Sequence, residues 1–270
     1  MAPRTRFGLA PQAGELLDHA ASLGRRIGEQ YRRGTVLGTF VIELPSRATI
    51  RALALAGFDF VVLDLEHSPF GIESLSGLIT EAQLLGLPAI VRAHSHDGDL
   101  IAKILDIGAN GIMAPRVSSA AQARAIVDAA RYAPRGRRGL SPLISMANLP
   151  RPQMALDADI LVIAQIEGKT GVESSGDISA VPGLSGVFLG PYDLSQAIGV
   201  PGEIDHPLIT QAAGRIAANA TGDCLLGTYV HDPGQSRKWA ERGFRFQCVT
   251  FDARMLLERA REVVGAARGH

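Results

Sequence analysis

The tetrapeptide Asp64-Leu65-Glu66-His67 places two carboxylates and an imidazole within four residues, directly after an apolar run. Further along the chain, Gln165-Ile166-Glu167 and Gly190-Pro191-Tyr192-Asp193-Leu194-Ser195 each add a carboxylate, and Arg92 closes another apolar run. Glu167 and Asp193, with room for water between them, suit a hard divalent cation such as Mg2+ or Mn2+ that keeps positions open for substrate oxygens. The same two residues also read as helix-capping or salt-bridging carboxylates. A guanidinium at the end of a buried run needs an anionic or oxygen partner. Arg92 therefore holds either an oxygen that becomes negative in a transition state or a structural ion pair with Asp64 or Glu66. His67 reads as a proton-transfer group near neutral pH, or as a histidine that is merely hydrogen-bonded. Asp193 is expected to begin a helix whose free N–H groups, from Tyr192 onward because Pro191 has none, face an anion.

These residues become one site only if the chain brings run ends together. Eight short apolar runs do so in principle: Val36–Ile42, Phe60–Leu65, Ala89–Arg92, Gly111–Pro115, Ile160–Ile166, Gly186–Leu189, Cys224–Val230 and Phe246–Phe251. Helical spacing separates them, near 47–56, 72–85, 97–106, 120–131, 171–180, 207–220 and 235–242, with a last helix at 253–267. Strict alternation implies a parallel sheet with helical crossovers. Gly57, Gly86, Gly108 and Gly243 each punctuate a helix end before a strand. Eight such units predict an α/β fold, a (β/α)8 barrel, rather than an open sheet, and no G-x-G-x-x-G opens the first unit. In a barrel the chemistry sits at the C-terminal strand ends. Those ends carry Asp64, Glu66, His67, Arg92, Gln165, Glu167, Asp193, Tyr229, His231 and Asp252. Residues 12–33 are expected to form an extra amphipathic helix, giving an N-terminal extension over 1–34 and a barrel over 35–270. The long segment 133–158 reads as functional or part of an interface.

The 270 residues fit either two average domains or one barrel. Apolar residues at 46% and charged residues at 20% exclude disorder and coiled coil. The 27 basic and 27 acidic side chains cancel, so no nucleic-acid or membrane partner is expected. No apolar run approaches the ~20 residues of a membrane span, the basic start has no apolar core of a signal peptide, and a cytoplasmic location is expected. Cys224 and Cys248 read as buried thiols of core strands. The Arg135–Arg138 cluster is too short to be a nucleic-acid patch and reads as a solvated loop or subunit contact. Ser141, Ser145 and Ser195 lack the G-x-S-x-G elbow of a serine hydrolase.

Several ordered pieces resemble the HpcH/HpaI aldolase family, the metal-dependent class II pyruvate aldolases, over roughly residues 35–265. They are Ala56-Gly57-Phe58-Asp59-Phe60 with the Asp64–His67 turn, Val91-Arg92, and Ile104-Leu105-Asp106-Ile107-Gly108-Ala109-Asn110-Gly111. Arg131-Tyr132-Ala133-Pro134-Arg135-Gly136-Arg137-Arg138-Gly139 follows, then Gln165-Ile166-Glu167, the 190–195 segment, Gly199 and His206-Pro207. The resemblance implies that Glu167 and Asp193 hold Mg2+, Mn2+ or Co2+, with Gln165 beside the metal. It implies that Arg92 binds the pyruvate oxygen, that His67 does acid–base work, and that Asp106 orients a catalytic histidine. Substrates would be a 2-oxo acid, pyruvate or oxaloacetate, and an aldehyde. The assembly would be a homo-oligomer, a hexamer or trimer of dimers. Lys103, Lys169 and Lys238 stand at no expected strand end, against a Schiff-base aldolase. Tyr229 falls where a small aliphatic residue often lines the aldehyde pocket. The 141–158 stretch differs from that of sugar-acid aldolases, and the extension before residue 35 is long for the family. Enolate enzymes of the same family that decarboxylate oxaloacetate, make citrate or cyclise, and a non-catalytic 2-oxo-acid-binding barrel, are the alternatives.

Because Asp106 is expected where a helix ends before the fourth strand, it would lie at the bottom of its own barrel. It would then reach a catalytic site only in a neighbouring subunit, against His67.

Overall fold

The computed structural model describes residues 11–140 and 157–269. Eight parallel strands close into one barrel in chain order. They are β1 Val36–Val41, β2 Phe60–Asp64, β3 Ala89–Arg92, β4 Gly111–Ala114, β5 Leu161–Ile166, β6 Gly186–Leu189, β7 Leu225–Val230 and β8 Phe246–Phe251. Helix α1, Pro11–Arg33, precedes β1; α2 Arg47–Ala56, α3 Ile72–Leu84, α4 Gly98–Asp106 and α5 Ala120–Ala130 follow the first four strands. After β5 come α6 Lys169–Glu173 and α7 Ser175–Ser179, and after β6 come α8 Pro191–Ala197 and α9 Pro207–Asn219. Helix α10, Ser236–Glu241, precedes β8, and α11, Asp252–Arg268, follows it. The expected (β/α)8 barrel is what forms. At Gly57, Gly86, Gly108 and Gly243 the backbone is left-handed, with φ between 69° and 103°, which is where glycine is favoured. The helix expected over 171–180 is divided at Ser174, and the one expected at 235–242 starts with the 3-10 turn Pro233–Gln235. Residues 141–156 of the long segment lie outside the described residues.

Two-residue periodicity sorts each strand into an outer and an inner series. Val61, Leu63, Val91 and Ile112 face the helices, while Phe60, Val62, Ile90 and Ile163 fill the barrel interior. The interior is aromatic: Phe60 stacks on Phe246 at 4.3 Å between centroids, and Phe188 meets Phe246 edge-on at 6.3 Å. A Cβ on Gly38 would lie 2.3 Å from the Phe60 ring, and one on Gly227 would lie 2.7 Å from both Phe188 and Phe246. Glycine at these two strand positions makes room for the rings that form the floor of the cavity above them.

Helix α1 closes the N-terminal end of the barrel. Its Ile27 and Tyr31 join the inner core, and the Tyr31 hydroxyl accepts from Leu226 N at 3.0 Å. Arg25 pairs with Asp159 at 2.9 Å, and Gly24 lies so close to the Asp159 and Asn110 carbonyls that a Cβ would overlap them. Helix α11 does the opposite. Of its 17 residues only Asp252 is buried, and Leu256, Leu257, Val263 and Val264 are exposed. Cys248 is a buried free thiol of β8, and Cys224, just before β7, is half-buried and also free. Among the described residues no helix is long and apolar enough to cross a membrane.

Candidate active site

Register decides which side chains meet at the C-terminal end of the barrel. β2 and β3 pair with Asp64 opposite Arg92. Arg92 Nε and Nη2 donate to Asp64 Oδ1 and Oδ2 at 2.7 and 2.8 Å. The same carboxylate accepts from the backbone N–H of Glu66 at 3.0 Å and of His67 at 3.2 Å. One fully buried aspartate therefore fixes the guanidinium plane and folds the turn that presents His67. The ion pair weighed for Arg92 exists, yet it leaves Nη1 unengaged by Asp64, and Arg92 lines the cavity. Glu66 accepts from Arg116 Nη1 at 2.8 Å, and its second oxygen is 3.6 Å from Arg92 Nε and 3.8 Å from His67 Nε2. Burial raises the Glu66 carboxyl above its ordinary range, against the pull of Arg92 and His67. The His67 imidazole is half exposed at the cavity mouth.

On the far side, Glu167 is buried just beyond β5. It accepts from Gln165 Nε2 at 2.5 Å and from Arg116 N at 2.7 Å. Arg116 reaches it because its backbone is left-handed, φ 52°. Desolvation, then the neighbouring charges of Asp193 and Glu66, push the Glu167 carboxyl up to about 7. A buried carboxyl repelled by two others is a position that positive charge would relieve. The Gln165 amide oxygen is buried without a hydrogen-bond partner, and Asp193 is exposed in the cavity. The donor set, two carboxylates and an amide oxygen, consists of hard oxygens and fits a divalent cation that keeps several waters or substrate atoms. Among the described residues no group of three or more His, Cys, Asp or Glu side chains is placed to hold a metal ion. Helix α8 begins at Pro191, two residues before the expected start, so Asp193 lies inside its first turn.

Gly190 belongs to this arrangement. A Cβ there would lie 2.6 Å from Glu167 Oε2 and 2.8 Å from Gln165 Nε2. We expect Gly190→Ala to remain folded and to lose about 10- to 100-fold in divalent-cation affinity, the usual cost of disturbing groups that orient a ligand. Calorimetric titration with Mn2+ checks this; an unchanged affinity would place the cation elsewhere.

The cavity has a volume of about 440 Å3. His67, Arg92, Gln165, Tyr192, Asp193 and Tyr229 all line it. Asp106 does not: it ends α4 at the opposite end of the barrel, where Arg138 of the same chain donates to it at 2.7 Å. Sequence reasoning passed over Arg116, two residues beyond β4, although the rule that singled out the other strand ends applies there too. It also missed Phe40, Ile42 and Phe251, whose apolar side chains carry no sign of a site.

The family model described as HpcH/HpaI aldolase/citrate lyase matches residues 38–258. A 2-dehydro-3,6-dideoxy-6-sulfogluconate aldolase of Pseudomonas putida is 33% identical, over 88% of this chain and 94% of the relative. A hydroxypyruvate/pyruvate aldolase of Pseudomonas aeruginosa is 36% identical, over 80% of this chain and 82% of the relative. The crystal structure of an HpcH/HpaI aldolase from Desulfitobacterium hafniense DCB-2 superposes with a TM-score of 0.81 at 28% identity, covering 87% of this chain and 93% of that one.

Proposed function

Since this chain belongs to the HpcH/HpaI aldolase/citrate lyase family and is a carbon–carbon lyase of the aldolase type, we propose that it cleaves or forms a bond between a pyruvate enolate and an aldehyde, with a divalent cation at Glu167 and Asp193. The cation, Mg2+, Mn2+ or Co2+, supplies Lewis-acid polarisation of the 2-oxo acid when bound. The observation that carries the reading is the convergence of Arg92, Gln165, Asp193 and His67 on one cavity.

Arg92 donates to the C2 oxygen of the 2-oxo acid while Asp64 holds the guanidinium plane. In cleavage, His67 takes the proton of the C4 hydroxyl, the C3–C4 bond breaks, and its electron pair ends on the C2 oxygen as the enolate that Arg92 stabilises. Aldehyde leaves, and C3 then takes up a proton to give pyruvate. Addition runs these steps in reverse. Oxaloacetate reaches the same enolate by losing CO2 and is the other 2-oxo acid that suits the site. Gln165 keeps Glu167 oriented through its amide N–H. Tyr192 and Tyr229 line the aldehyde side. None of Lys103, Lys169 and Lys238 lines the cavity, so the reading has no Schiff-base step.

A homo-oligomer, a hexamer or trimer of dimers, completes the proposal, with Asp106 serving the His67 of a neighbouring subunit. The exposed apolar residues of α11 support an assembly. The free thiols fit a reducing compartment such as the cytoplasm.

The test is deuterium exchange at C3 of pyruvate in D2O, followed by mass spectrometry. Exchange is expected with Mg2+, Mn2+ or Co2+, to vanish after exhaustive chelation and to return with the cation. Full exchange in chelated protein would overturn the metal assignment, and no exchange under any condition would overturn the enolate reading.

A further inference from the structure

The cavity has two chemically distinct walls, and the barrel order separates them. The ionic and amide groups come from β2, β3, β5 and the turn after β6: His67, Arg92, Gln165 and Asp193. The remaining arc runs through β7, β8 and β1, which are neighbours in the closed sheet. It presents Tyr229, Phe251, Phe40 and Ile42, with the ring of Tyr192 at its rim. Resting on the enolate reading above, in which the 2-oxo acid occupies the ionic wall, we infer that the aldehyde partner carries an apolar aryl group that lies on this second arc, rather than a polyhydroxylated chain.

Among the described residues the arc offers little to a hydroxyl. The Tyr229 hydroxyl is buried and without a hydrogen-bond partner, the one hydroxyl on the arc, among those residues, that could meet a polar group of the ligand. The Tyr192 hydroxyl is held at 2.8 Å by His231 Nδ1. A sugar-like aldehyde placed here loses water from several hydroxyls, and among the described residues of this chain the arc has too few polar groups to replace it. An aryl ring meets the opposite situation. Tyr229 stands 5.7 Å from Tyr192 and 6.3 Å from Phe40 between centroids, with interplanar angles of 50° and 47°. The Arg92 guanidinium lies over the Phe40 ring, 4.7 Å from its centroid, so a further ring would meet the tilted faces and edges of Tyr229 and Tyr192. The volume of about 440 Å3 is in the range of pockets that take drug-sized ligands, so a ring fits beside a small 2-oxo acid.

The arc is also held in place. The Asp252 carboxylate accepts the backbone N–H groups of Ile42, Glu43 and Leu44, at 3.2, 3.2 and 2.7 Å. It thereby ties the end of β8 to the end of β1 and fixes Ile42 and Phe251 across one rim. A wall fixed before the ligand arrives selects by shape and polarity rather than adapting.

The experiment compares 3-phenylpropanal with glyceraldehyde as acceptors for pyruvate, using the full chain with Mg2+, by initial rates of adduct formation. The kcat/KM ratio is expected to favour the aryl aldehyde by at least about tenfold, the scale set by leaving one polar group unpaired. Tyr229→Ser and Phe251→Ser each put a hydroxyl on the arc in place of a ring and should bring the ratio down by about tenfold. Pyruvate C3 exchange is measured on the same wild-type sample. Exchange with a ratio at or below unity overturns this inference and leaves the enolate reading standing. A ratio unmoved in both variants overturns the assignment of the arc. Absence of exchange overturns both.

Discussion

Arg92→Lys will fold and bind the cation but lose about 10²–10³ in kcat, the usual cost of removing one donor from a developing oxyanion. The reason is geometric. Arg92 uses Nε and Nη2 on Asp64, at 2.7 and 2.8 Å, and still has Nη1 for the cavity. A planar fork can serve two partners in fixed directions; an ammonium on a flexible stem has a single nitrogen to place. Because lysine keeps the charge, Asp64 retains a counter-ion and the fold should lose little. Removing the charge is a different experiment: Arg92→Met leaves the fully buried Asp64 unpaired and should cost about 3–5 kcal/mol. Thermal melts and pyruvate exchange on both variants separate the two effects. Near-wild-type turnover with Arg92→Lys would mean that Arg92 is a structural partner of Asp64 and nothing more.

The Arg92–Asp64 pair also marks how far sequence reasoning reaches. Strand periodicity and helix-ending glycines were enough for the eight units, because both follow from local backbone rules. The polar half of the cavity was legible for the same reason. His67, Arg92, Gln165 and Asp193 stand at strand ends or in the turns just beyond them, and a barrel brings strand ends together. What Arg92 does with its fork was not legible, since the choice between ion pair and substrate depends on the β2–β3 register. Arg116 stands just beyond β4, where the strand-end rule applies, but its backbone contact to Glu167 depends on a left-handed conformation that no pattern announces. The apolar arc was hidden more deeply. Phe40 and Phe251 are indistinguishable in sequence from Phe60 and Phe246, and only closure of β8 onto β1 separates the rings that line the cavity from those that form its floor. The extra helix 12–33 was visible as an amphipathic segment, but its task depends on Tyr31 reaching the starts of β7 and β8, which is tertiary information.

Mixing His67→Ala protein with Asp106→Asn protein is expected to restore activity that neither has alone. Asparagine is the substitution to use, because Asp106 holds Arg138, whose side chain is 1% exposed. Alanine would strand that buried guanidinium and confuse a structural loss with a catalytic one; asparagine keeps an acceptor for Arg138 while removing the charge that the proposal assigns to orienting His67. The prediction follows from placement. Asp106 ends α4, ahead of β4, at the opposite end of the barrel from His67, so no intact chain can bring its own two residues together. With the two variants in equal amounts and statistical subunit exchange, about a quarter of all sites combine His67 from one chain with Asp106 from its neighbour. Activity should rise toward that fraction of wild type, on the time course of subunit exchange measured independently by mass spectrometry. The pyruvate exchange assay reads the same recovery without depending on the aldehyde. If the mixture stays as inactive as its parts while exchange is complete, Asp106 is a helix-end carboxylate that holds Arg138, and His67 draws its orientation from Glu66, the carboxylate 3.8 Å away in its own chain.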